Sequence, residues 1–253
     1  MRTETSAGHG SAAVRKVLEA ELREARDRGR RDPRVVDVGG GSGGWAVPLA
    51  SAGCLVTVVE PNPNALATLR RRAAEVGVSD RITVVADDTD ALGNQVPGGA
   101  ADLVLAHGLL EIVDDPAAVA AALAAAVAPG GAVSVLAANR HAAALHRALA
   151  GRLAEASKLL ADPAGVLTDD GETLLRRFDT AGLRDLLSGA GLQVERIQGD
   201  GVVSDIVPSL VAEPASAAGS WEQDLAEFEA LASGAPPLRD VASRLHALAR
   251  RTG

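Results

Sequence analysis

A glycine-rich run near the start of the chain carries the first recognisable chemistry. The largely apolar segment Arg34–Val38 leads into Gly39-Gly40-Gly41-Ser42-Gly43-Gly44, and a helical pattern follows. A strand that passes through a glycine turn into a helix brings backbone N–H groups close to a ligand, at the positive end of the helix dipole. The run therefore predicts a binding site for a cofactor that carries anionic groups, as nucleotides do.

The glycine run fits two cofactor classes. Its spelling Gly39-x-Gly41-x-x-Gly44 is the fingerprint of dinucleotide-binding folds. The other frame, Gly39-x-Gly41-x-Gly43 with Asp37 two residues before it, resembles motif I of class I S-adenosylmethionine-dependent methyltransferases. In that interpretation Asp37 orients the loop and meets the ammonium group of the methionine. The run alone indicates a nucleotide-type cofactor and leaves the choice between the two classes open.

Acidic residues at the ends of the next two predicted strands separate the two classes. Glu60 ends the second strand, where a carboxylate can accept hydrogen bonds from both ribose hydroxyls, as it does in NAD-dependent enzymes. Asp87 ends the third strand, where methyltransferases place an acid on the adenine amine. Together, Asp37, Glu60 and Asp87 favour S-adenosyl-L-methionine as the cofactor over a nicotinamide dinucleotide.

Further segments narrow the resemblance to one family. They are Gly77–Asp80, Leu105–Pro116, and Asn139-x-His141 with His146 and Gly151 after it. With them the chain resembles, from about Gly8 onward, the bacterial tRNA 5-carboxymethoxyuridine methyltransferases, which methylate the carboxylate of a modified wobble uridine. The resemblance implies cofactor contacts at Gly39, Gly40, Glu60, Asp88, Thr89, His107 and, from the N-terminal helix, Arg15. The expected cofactor-binding set is completed by Asp37, Gly41, Gly43 and Asp87.

The chain departs from that family at several places. Glu60 replaces an aspartate and preserves the ribose contact. The acidic run Asp169–Glu172 stands where the family has a lysine-rich run, with Arg176-Arg177 as the nearby basic pair. Ile112 replaces an aromatic residue, which removes a partner for base stacking. These differences keep open a small-molecule O- or N-methyltransferase of metabolism, a non-catalytic cofactor-binding protein on the same fold and, least favoured, an NAD-dependent oxidoreductase.

The nature of the methyl acceptor decides which side chains the reaction needs. Methyl transfer from a sulfonium is an in-line displacement, so the protein mainly supplies positioning and a dry site. A carboxylate nucleophile needs no base but needs donor groups to hold it. The expected substrate-binding residues are Asn139, Arg140, His146 and Arg147. An amine or hydroxyl acceptor needs a base, and His107 or His141 can take its proton near neutral pH.

The elements that must position these residues alternate between strand and helix patterns. The expected strands are Arg34–Val38, Cys54–Val59, Arg81–Ala86, Asp102–Ala106, Ala132–Ala137, Leu192–Ile197 and Arg244–Ala249. This alternation is typical of an α/β, Rossmann-like class I methyltransferase fold with a seven-stranded, mostly parallel sheet and helices on both faces. The segment Arg244–Ala249 fits helix or strand by its pattern, and we assign it to a strand because the fold needs a seventh.

We expect one methyltransferase domain over residues 1–253. Residues 8–30 hold an N-terminal amphipathic helix, because apolar residues recur there at helical spacing. Residues 139–178 form a helical substrate-side insertion or lid, with a long helical stretch from His141 to Leu160.

Composition limits the location and partners of the protein. The single cysteine, Cys54, forms no internal disulfide, and the first residues lack the apolar stretch of a signal peptide, so we expect a cytoplasmic protein. The apolar stretch Ala117–Val127 is shorter than the ~20 residues of a membrane span. The net charge of −8 argues against a stable complex with nucleic acid and leaves a tRNA anticodon or a small acidic molecule as acceptor. The histidines lack metal-ligand spacing, so we expect no metal.

Overall fold

Strands and helices alternate along a computed structural model that describes residues 12–87, 92, 96, 98–167, 176–205 and 218–251. The strands are β1 (Arg34–Val38), β2 (Leu55–Val59), β3 (Ile82–Val85), β4 (Ala101–His107), β5 (Val127–Ala138), β6 (Leu192–Asp200) and β7 (Arg244–Arg251). The helices are α1 (Ala12–Asp27), α2 (Ala46–Ser51), α3 (Pro63–Glu75), α4 (Pro116–Ala126), α5 (Arg140–Leu149), α6 (Leu153–Ala161), α7 (Thr180–Gly189) and α8 (Ala218–Ala232).

Within the described residues, the seven strands form one sheet in the order β3-β2-β1-β4-β5-β7-β6. Strands β1 to β5 pair in parallel, and β7 lies antiparallel between β5 and β6. The expected α/β fold with a mostly parallel, seven-stranded sheet is confirmed. The ambiguous C-terminal segment is β7, and its central residues are buried in succession because strands flank it on both sides. That burial removes the alternation by which a strand is usually recognised.

The sheet separates two apolar layers because successive strand residues point to opposite faces. On one face, Val104 and Val133 pack with leucines of α4 and α7. On the other face, Leu103 and Leu105 pack with apolar residues of α1, α2 and α3. The N-terminal helix is thus α1, of which residues 8–11 of the expected range lie outside the described part. Among the described helices, none is long and apolar enough to cross a membrane.

The segment 139–178 leaves the sheet after β5 and returns beside its own start. The backbone N–H of Arg140 donates to the carbonyl of Phe178 at 2.8 Å, and the N–H of Phe178 donates to Ala138 at 2.9 Å. The helical stretch expected from His141 to Leu160 consists of two helices, because α5 and α6 are separated by residues 150–152. Gly151, with φ of +77°, turns the chain between them, a conformation that glycine adopts without steric cost.

The carboxyl ends of the parallel strands meet at one edge of the sheet, and helix starts are fixed there by side-chain caps. The Asn62 side chain accepts from the N–H groups of Asn64 and Ala65 at the start of α3, and Asp115 does the same for Ala117 and Ala118 at the start of α4. These caps fix the loops after β2 and β4. The glycine run after β1 lies at the same edge, between them.

Candidate functional site

The glycine loop has a backbone that follows one of its two spellings. Gly39, Gly41 and Gly43 have φ angles of +70°, +54° and +83°. A Cβ on Gly43 would stand 2.3 Å from Leu69 Cδ1, whereas a Cβ on Gly44 would meet nothing within 4 Å. In the dinucleotide fingerprint, the third glycine allows the helix to pack closely against the strand. Gly44 has no such close neighbour. The loop therefore fits the frame Gly39-x-Gly41-x-Gly43.

Position 40 requires glycine for a different reason, because two side chains lie directly against its backbone. A Cβ there would stand 2.7 Å from Oδ2 of Asp37 and 2.8 Å from Cγ1 of Val58. Both distances are shorter than a carbon atom can occupy. The loop thus packs directly onto the acid in β1 and the neighbouring strand β2, which keeps its N–H groups at the strand edge.

Glu60, directly after β2, ties the glycine loop to the next connection. Its Oε2 accepts from the N–H of Gly41 at 3.0 Å, and its Oε1 accepts from the N–H of Asn62 at 2.8 Å. The side chain is 9% exposed. Each carboxylate oxygen can accept a further hydrogen bond. Glu60 therefore fixes the loop and can still receive hydroxyl donors.

Asp37 is a buried carboxyl group whose negative charge is not compensated. It is 2% exposed, and its Oδ2 has no hydrogen-bond partner among the described residues. Burial, and secondarily the charge of Glu60, raises the pKa of Asp37 to about 7. A cationic group placed at the loop would stabilise the ionised form, because an opposite charge favours ionisation. The backbone N–H groups of the loop and the unpaired carboxyl group of Asp37 fit a ligand with an ammonium group.

A cleft of about 510 Å³ lies beside the loop. It is lined by Gly39, Val59, Glu60, Pro61, Gly108, Leu109, Ile112, Val113, Asp114, Asp115, Ala118 and Val119. Its volume is in the range of small-molecule sites.

Asp87 is exposed after β3, while Asp88 and Thr89, two of the expected cofactor contacts, lie outside the described residues.

His107, one of the two expected catalytic residues, begins a buried polar chain. Its Nε2 lies 2.8 Å from Oγ of Ser134, which lies 2.8 Å from Nε2 of His246. The rings of Trp45 and His107 pack nearly perpendicular to each other, with centroids 5.0 Å apart. Burial, with smaller effects of His246 and Arg244, holds the pKa of His107 well below its usual range. His107 is therefore a neutral imidazole at pH 7, next to Gly108 of the cleft.

Arg244, Asp200 and Glu111 form a charged group near His107 that the sequence did not reveal. Nε of Arg244 donates to Oδ2 of Asp200 at 2.8 Å, while its buried Nη2 has no partner among the described residues. Burial raises the pKa of Asp200 to about 6 and also raises the pKa of Glu111. One cation thus stands among two carboxyl groups. The detectable signal was the pairing of a strand-ending acid, Asp200, with a strand-starting arginine, Arg244.

Two of the expected substrate-binding residues have hydrogen bonds within the fold. The Oδ1 of Asn139 caps α5 by accepting from the N–H of His141, and its Nδ2 donates to the carbonyls of Asp240 and Ala242. Arg140 pairs with Asp179 and donates to two carbonyls at the end of α6. Both amide hydrogens of Asn139 are therefore used by the protein itself, and a substrate contact there stays a prediction with little support.

The remaining expected residues lie on α5 and α1. His141 contacts Arg140, with 3.4 Å between Nε2 and Nη2. His146 has a buried Nε2 without a partner in the described part of the chain, and Nε of Arg147 pairs with Glu155 at 3.2 Å. Arg15 is exposed on α1, with its guanidinium 5.8 Å from the centre of the Trp45 ring. Arg15 thus reaches the segment that follows the glycine loop.

Arg176 ties the end of the insertion to the loop after β4. Its guanidinium donates to the carbonyls of Leu110, Val113 and Asp114, and its N–H donates to the carbonyl of Glu111 at 3.2 Å. These carbonyls belong to the loop that lines the cleft. The basic pair noted in the sequence therefore has at least one member whose contacts hold the cleft wall.

Comparisons with known proteins agree with this geometry. A family model described as "Methyltransferase domain" matches residues 11–197. The chain is 30% identical to the tRNA 5-carboxymethoxyuridine methyltransferase of Escherichia coli (strain K12) over 49% of this chain and 48% of that protein, so it spans about half the relative's length. It is 34% identical to the ubiquinone biosynthesis O-methyltransferase of Burkholderia thailandensis, over 66% and 67% of the two chains.

A solved structure shares the fold. It is a SAM-dependent methyltransferase from Methanosarcina mazei, with a TM-score of 0.60 and 14% identity, covering 88% of this chain and 93% of that one. At this level of identity the likeness concerns the fold. The dinucleotide alternative is contradicted by the family match, in agreement with the frame that the glycine loop follows.

Proposed function

Because the chain belongs to the methyltransferase domain family and is a class I S-adenosylmethionine-dependent methyltransferase, we propose that it methylates an O–H or N–H group of a small molecule, with His107 as general base. The observation that carries this proposal is the position of His107, which ends β4 directly before Gly108 of the cleft and whose Nε2 lies 2.8 Å from Oγ of Ser134. Burial holds the pKa of His107 well below its usual range, so the ring is neutral and can accept a proton. A carboxylate acceptor would need no base, whereas a hydroxyl or amine must lose its proton during transfer.

The charges around the proposed acceptor position support an uncharged acceptor. Arg244 is the nearby cation, and Asp200 and Glu111 both act on it. A further anion brought beside these two carboxyl groups would be repelled at short range. A hydroxyl or amine, in contrast, can donate hydrogen bonds to them.

In the proposed complex, the cofactor lies at the carboxyl ends of β1, β2 and β3. In the proposed complex, the N–H groups of the glycine loop face the methionine portion, Asp37 pairs with its ammonium, and Glu60 accepts from the ribose hydroxyls. Asp87, after β3, would contact the adenine, and Arg15 would approach from α1. When bound, S-adenosylmethionine supplies an electrophilic methyl group. The protein orients the acceptor in line with that group and excludes water from it.

A transfer assay with a panel of acceptors tests the proposal. The protein is incubated with S-adenosylmethionine labelled in its methyl group and, separately, with catechols, simple phenols, hydroxylated benzoates, primary amines and carboxylic acids that lack other nucleophiles. We expect label in the hydroxyl or amine probes and none in the simple acids. Transfer confined to the simple acids, or binding of the cofactor without transfer to any probe, would contradict it.

The second candidate is methylation of the carboxylate of a modified tRNA uridine. Two observations favour it: the similarity to the Escherichia coli enzyme and the buried Nη2 of Arg244, which has a donor to offer a carboxylate. Nucleoside mass spectrometry of tRNA from a strain that lacks the protein decides this candidate. Loss of the methyl ester at the wobble uridine would support it, and an unchanged profile would exclude it.

A further inference from the structure

The buried base has hydrogen-bonding neighbours whose arrangement of protons determines what it can do. On the premise that His107 is the base, as proposed above, we propose that Ser134 and His246 are positioning residues. With His107 they form a chain with two interchangeable proton arrangements, and one of these leaves a lone pair on Nδ1 of His107 that can take the acceptor's proton.

The chain crosses three neighbouring strands on one face of the sheet. His107 ends β4, Ser134 lies within β5 and His246 lies within β7, and β5 separates the other two. The Oγ of Ser134 is 2.8 Å from Nε2 of each ring. Ser134 and His246 are both 0% exposed, so solvent does not compete for these bonds. Such distances are those of well-formed hydrogen bonds.

The neutral chain has two proton arrangements in which both contacts between Oγ of Ser134 and a ring Nε2 are hydrogen bonds. The Ser134 hydroxyl has one proton and donates it to one ring, so the other ring must donate its own Nε2 proton to Ser134. When Ser134 donates to His246, His107 carries its proton on Nε2 and a lone pair on Nδ1. When Ser134 donates to His107, Nδ1 of His107 carries the proton and cannot accept another.

Both arrangements have the same number of hydrogen bonds. Nδ1 of His107 and Nδ1 of His246 are both buried without a partner among the described residues, so each arrangement leaves one donor and one acceptor unpaired. Among the described residues, the side-chain charges that act on the chain are those of Arg244, on His107, and of Arg196, on His246. Burial and these charges hold the pKa of each ring low. An acceptor that donates to Nδ1 of His107 therefore selects the arrangement with the lone pair there.

The proposed reaction step balances in atoms and charge. The acceptor oxygen or nitrogen bonds to the methyl carbon while the carbon–sulfur bond breaks and its electron pair remains on sulfur. The acceptor's proton moves to Nδ1 of His107. The Nε2 proton of His107 can then pass to Ser134 as Ser134 passes its own to His246. The chain gains one positive charge at the moment the sulfonium loses one, so rings of low pKa can take the proton.

Nitrogen NMR of the histidine rings tests the chain directly. In protein labelled with ¹⁵N-histidine and bound to S-adenosylhomocysteine at pH 7, each ring should be neutral. The fractions of His107 and His246 that are protonated at Nδ1 should sum to one, because one ring accepts from Ser134 whenever the other donates. Two rings both protonated at Nε2, or either ring in the cationic form, would overturn the proposal. His107→Gln and His246→Gln assign the signals.

Two substitutions at Ser134 form a matched pair. Ser134→Ala removes the shared hydroxyl, so both rings should shift toward the Nε2–H form that imidazole prefers in water, and the sum should fall well below one. Ser134→Thr keeps the hydroxyl and should keep the sum. An unchanged sum in Ser134→Ala would contradict the proposal, and the wild-type sum decides it alone if that variant does not fold.

A kinetic measurement separates this inference from the proposed function. With any acceptor methylated in the panel above, Ser134→Ala should lower kcat by about tenfold or more at unchanged KM, and Ser134→Thr should restore it, because base catalysis contributes roughly 10²–10⁴-fold. An unchanged kcat in Ser134→Ala would count against the positioning role. If no acceptor is methylated, the proposed function fails, whereas the NMR sum still shows whether the chain exists.

Discussion

The two halves of the sheet build their sites in different ways. On the β1–β2 side, the candidate residues come from two short segments, Asp37 to Gly43 and Glu60, of which Gly39 and Glu60 line the cleft. On the side from β4 to β6, His107, Ser134 and His246 come from three strands, and Arg244 meets Asp200 across the antiparallel pairing of β7 with β6. Because the first half depends on local sequence and the second on strand register, the first is recognisable as a motif and the second is not.

This difference predicts that the halves can be damaged separately. Substitutions in the first half should weaken cofactor binding or the loop itself, and those in the second should spare cofactor binding and affect transfer. The following experiments test that separation, starting with the largest effect.

The glycine loop should show the largest effect, with a contrast between adjacent positions. Gly43→Ala places a Cβ 2.3 Å from Leu69 Cδ1 at a φ of +83°. We expect a loss of roughly 2–5 kcal/mol in the free energy of unfolding, from backbone strain and overpacking together. Gly44→Ala, with nothing within 4 Å of its Cβ, should change it by less than about 0.5 kcal/mol. Denaturant unfolding of both variants measures this, and equal losses would refute the proposed frame.

The next largest effect is expected at Glu60. Glu60→Gln removes the charge that accepts from Gly41 and, in the proposed complex, from the ribose. Since hydrogen bonds to a charged group contribute roughly 1.5–3 kcal/mol, affinity for S-adenosylmethionine should fall about 10- to 100-fold. Isothermal titration measures it. Glu75→Gln, on the exposed face of α3, is the matched control, and a similar fall in the control would show that general charge is responsible.

A smaller and selective effect is expected at Arg244. Arg244→Gln removes the partner of Asp200. Turnover should fall by about tenfold, since a charge-assisted hydrogen bond near the acceptor is lost, while affinity for S-adenosylmethionine stays unchanged. Arg251→Gln, at the other end of β7, is the control, because Arg251 contacts backbone carbonyls there. A loss of cofactor affinity in Arg244→Gln would contradict the separation of the halves.

The last of these tests is a pH dependence in the first half. Burial, and secondarily the charge of Glu60, raises the pKa of Asp37 above its ordinary value to about 7 in the folded protein. Its contribution to stability is therefore full at low pH and is lost as pH rises through 7, because the ionised form is buried. An ammonium ligand pairs with the ionised form, so affinity for S-adenosylmethionine should rise by up to about tenfold per pH unit below pH 7 and level off above it. Titrations from pH 5.5 to 8.5 measure this rise.

Asp37→Asn is the matching variant for that titration. It should bind more weakly at pH 8 and show no rise with pH. A wild-type affinity that does not depend on pH, or a variant that keeps the rise, would remove Asp37 from the proposed ammonium site.

Much of the fold could be predicted from the sequence, because its elements carry local signals. Asp115-Pro116 marks the start of α4, and the apolar runs of β1 and β4 mark buried strands. The break between α5 and α6 was missed because Gly151 was not recognised as the turn between two helical patterns. Glycine permits a positive φ but does not require one, so the sequence alone does not show that the chain turns there.

The candidate site was predictable in unequal parts. Gly39 to Gly43 were predicted from the glycine pattern after the first strand, and Glu60 from its place at the end of the second. Arg244 and His246 were not singled out, since their segment fitted helix or strand and its register with β5 depends on the whole sheet. Asn139 was expected at the substrate because polar residues after β5 lie near the site, yet its amide caps α5 and holds the turn before β7.

The most direct test of the account is a paired measurement on His107→Gln. We predict that affinity for S-adenosylmethionine changes by less than about fivefold, since one neutral hydrogen bond contributes roughly 1 kcal/mol. Transfer to the acceptor should fall by about 100-fold or more, since a general base is lost. Turnover close to that of the wild-type protein, with the cofactor still bound, would contradict the assignment of His107 as the base.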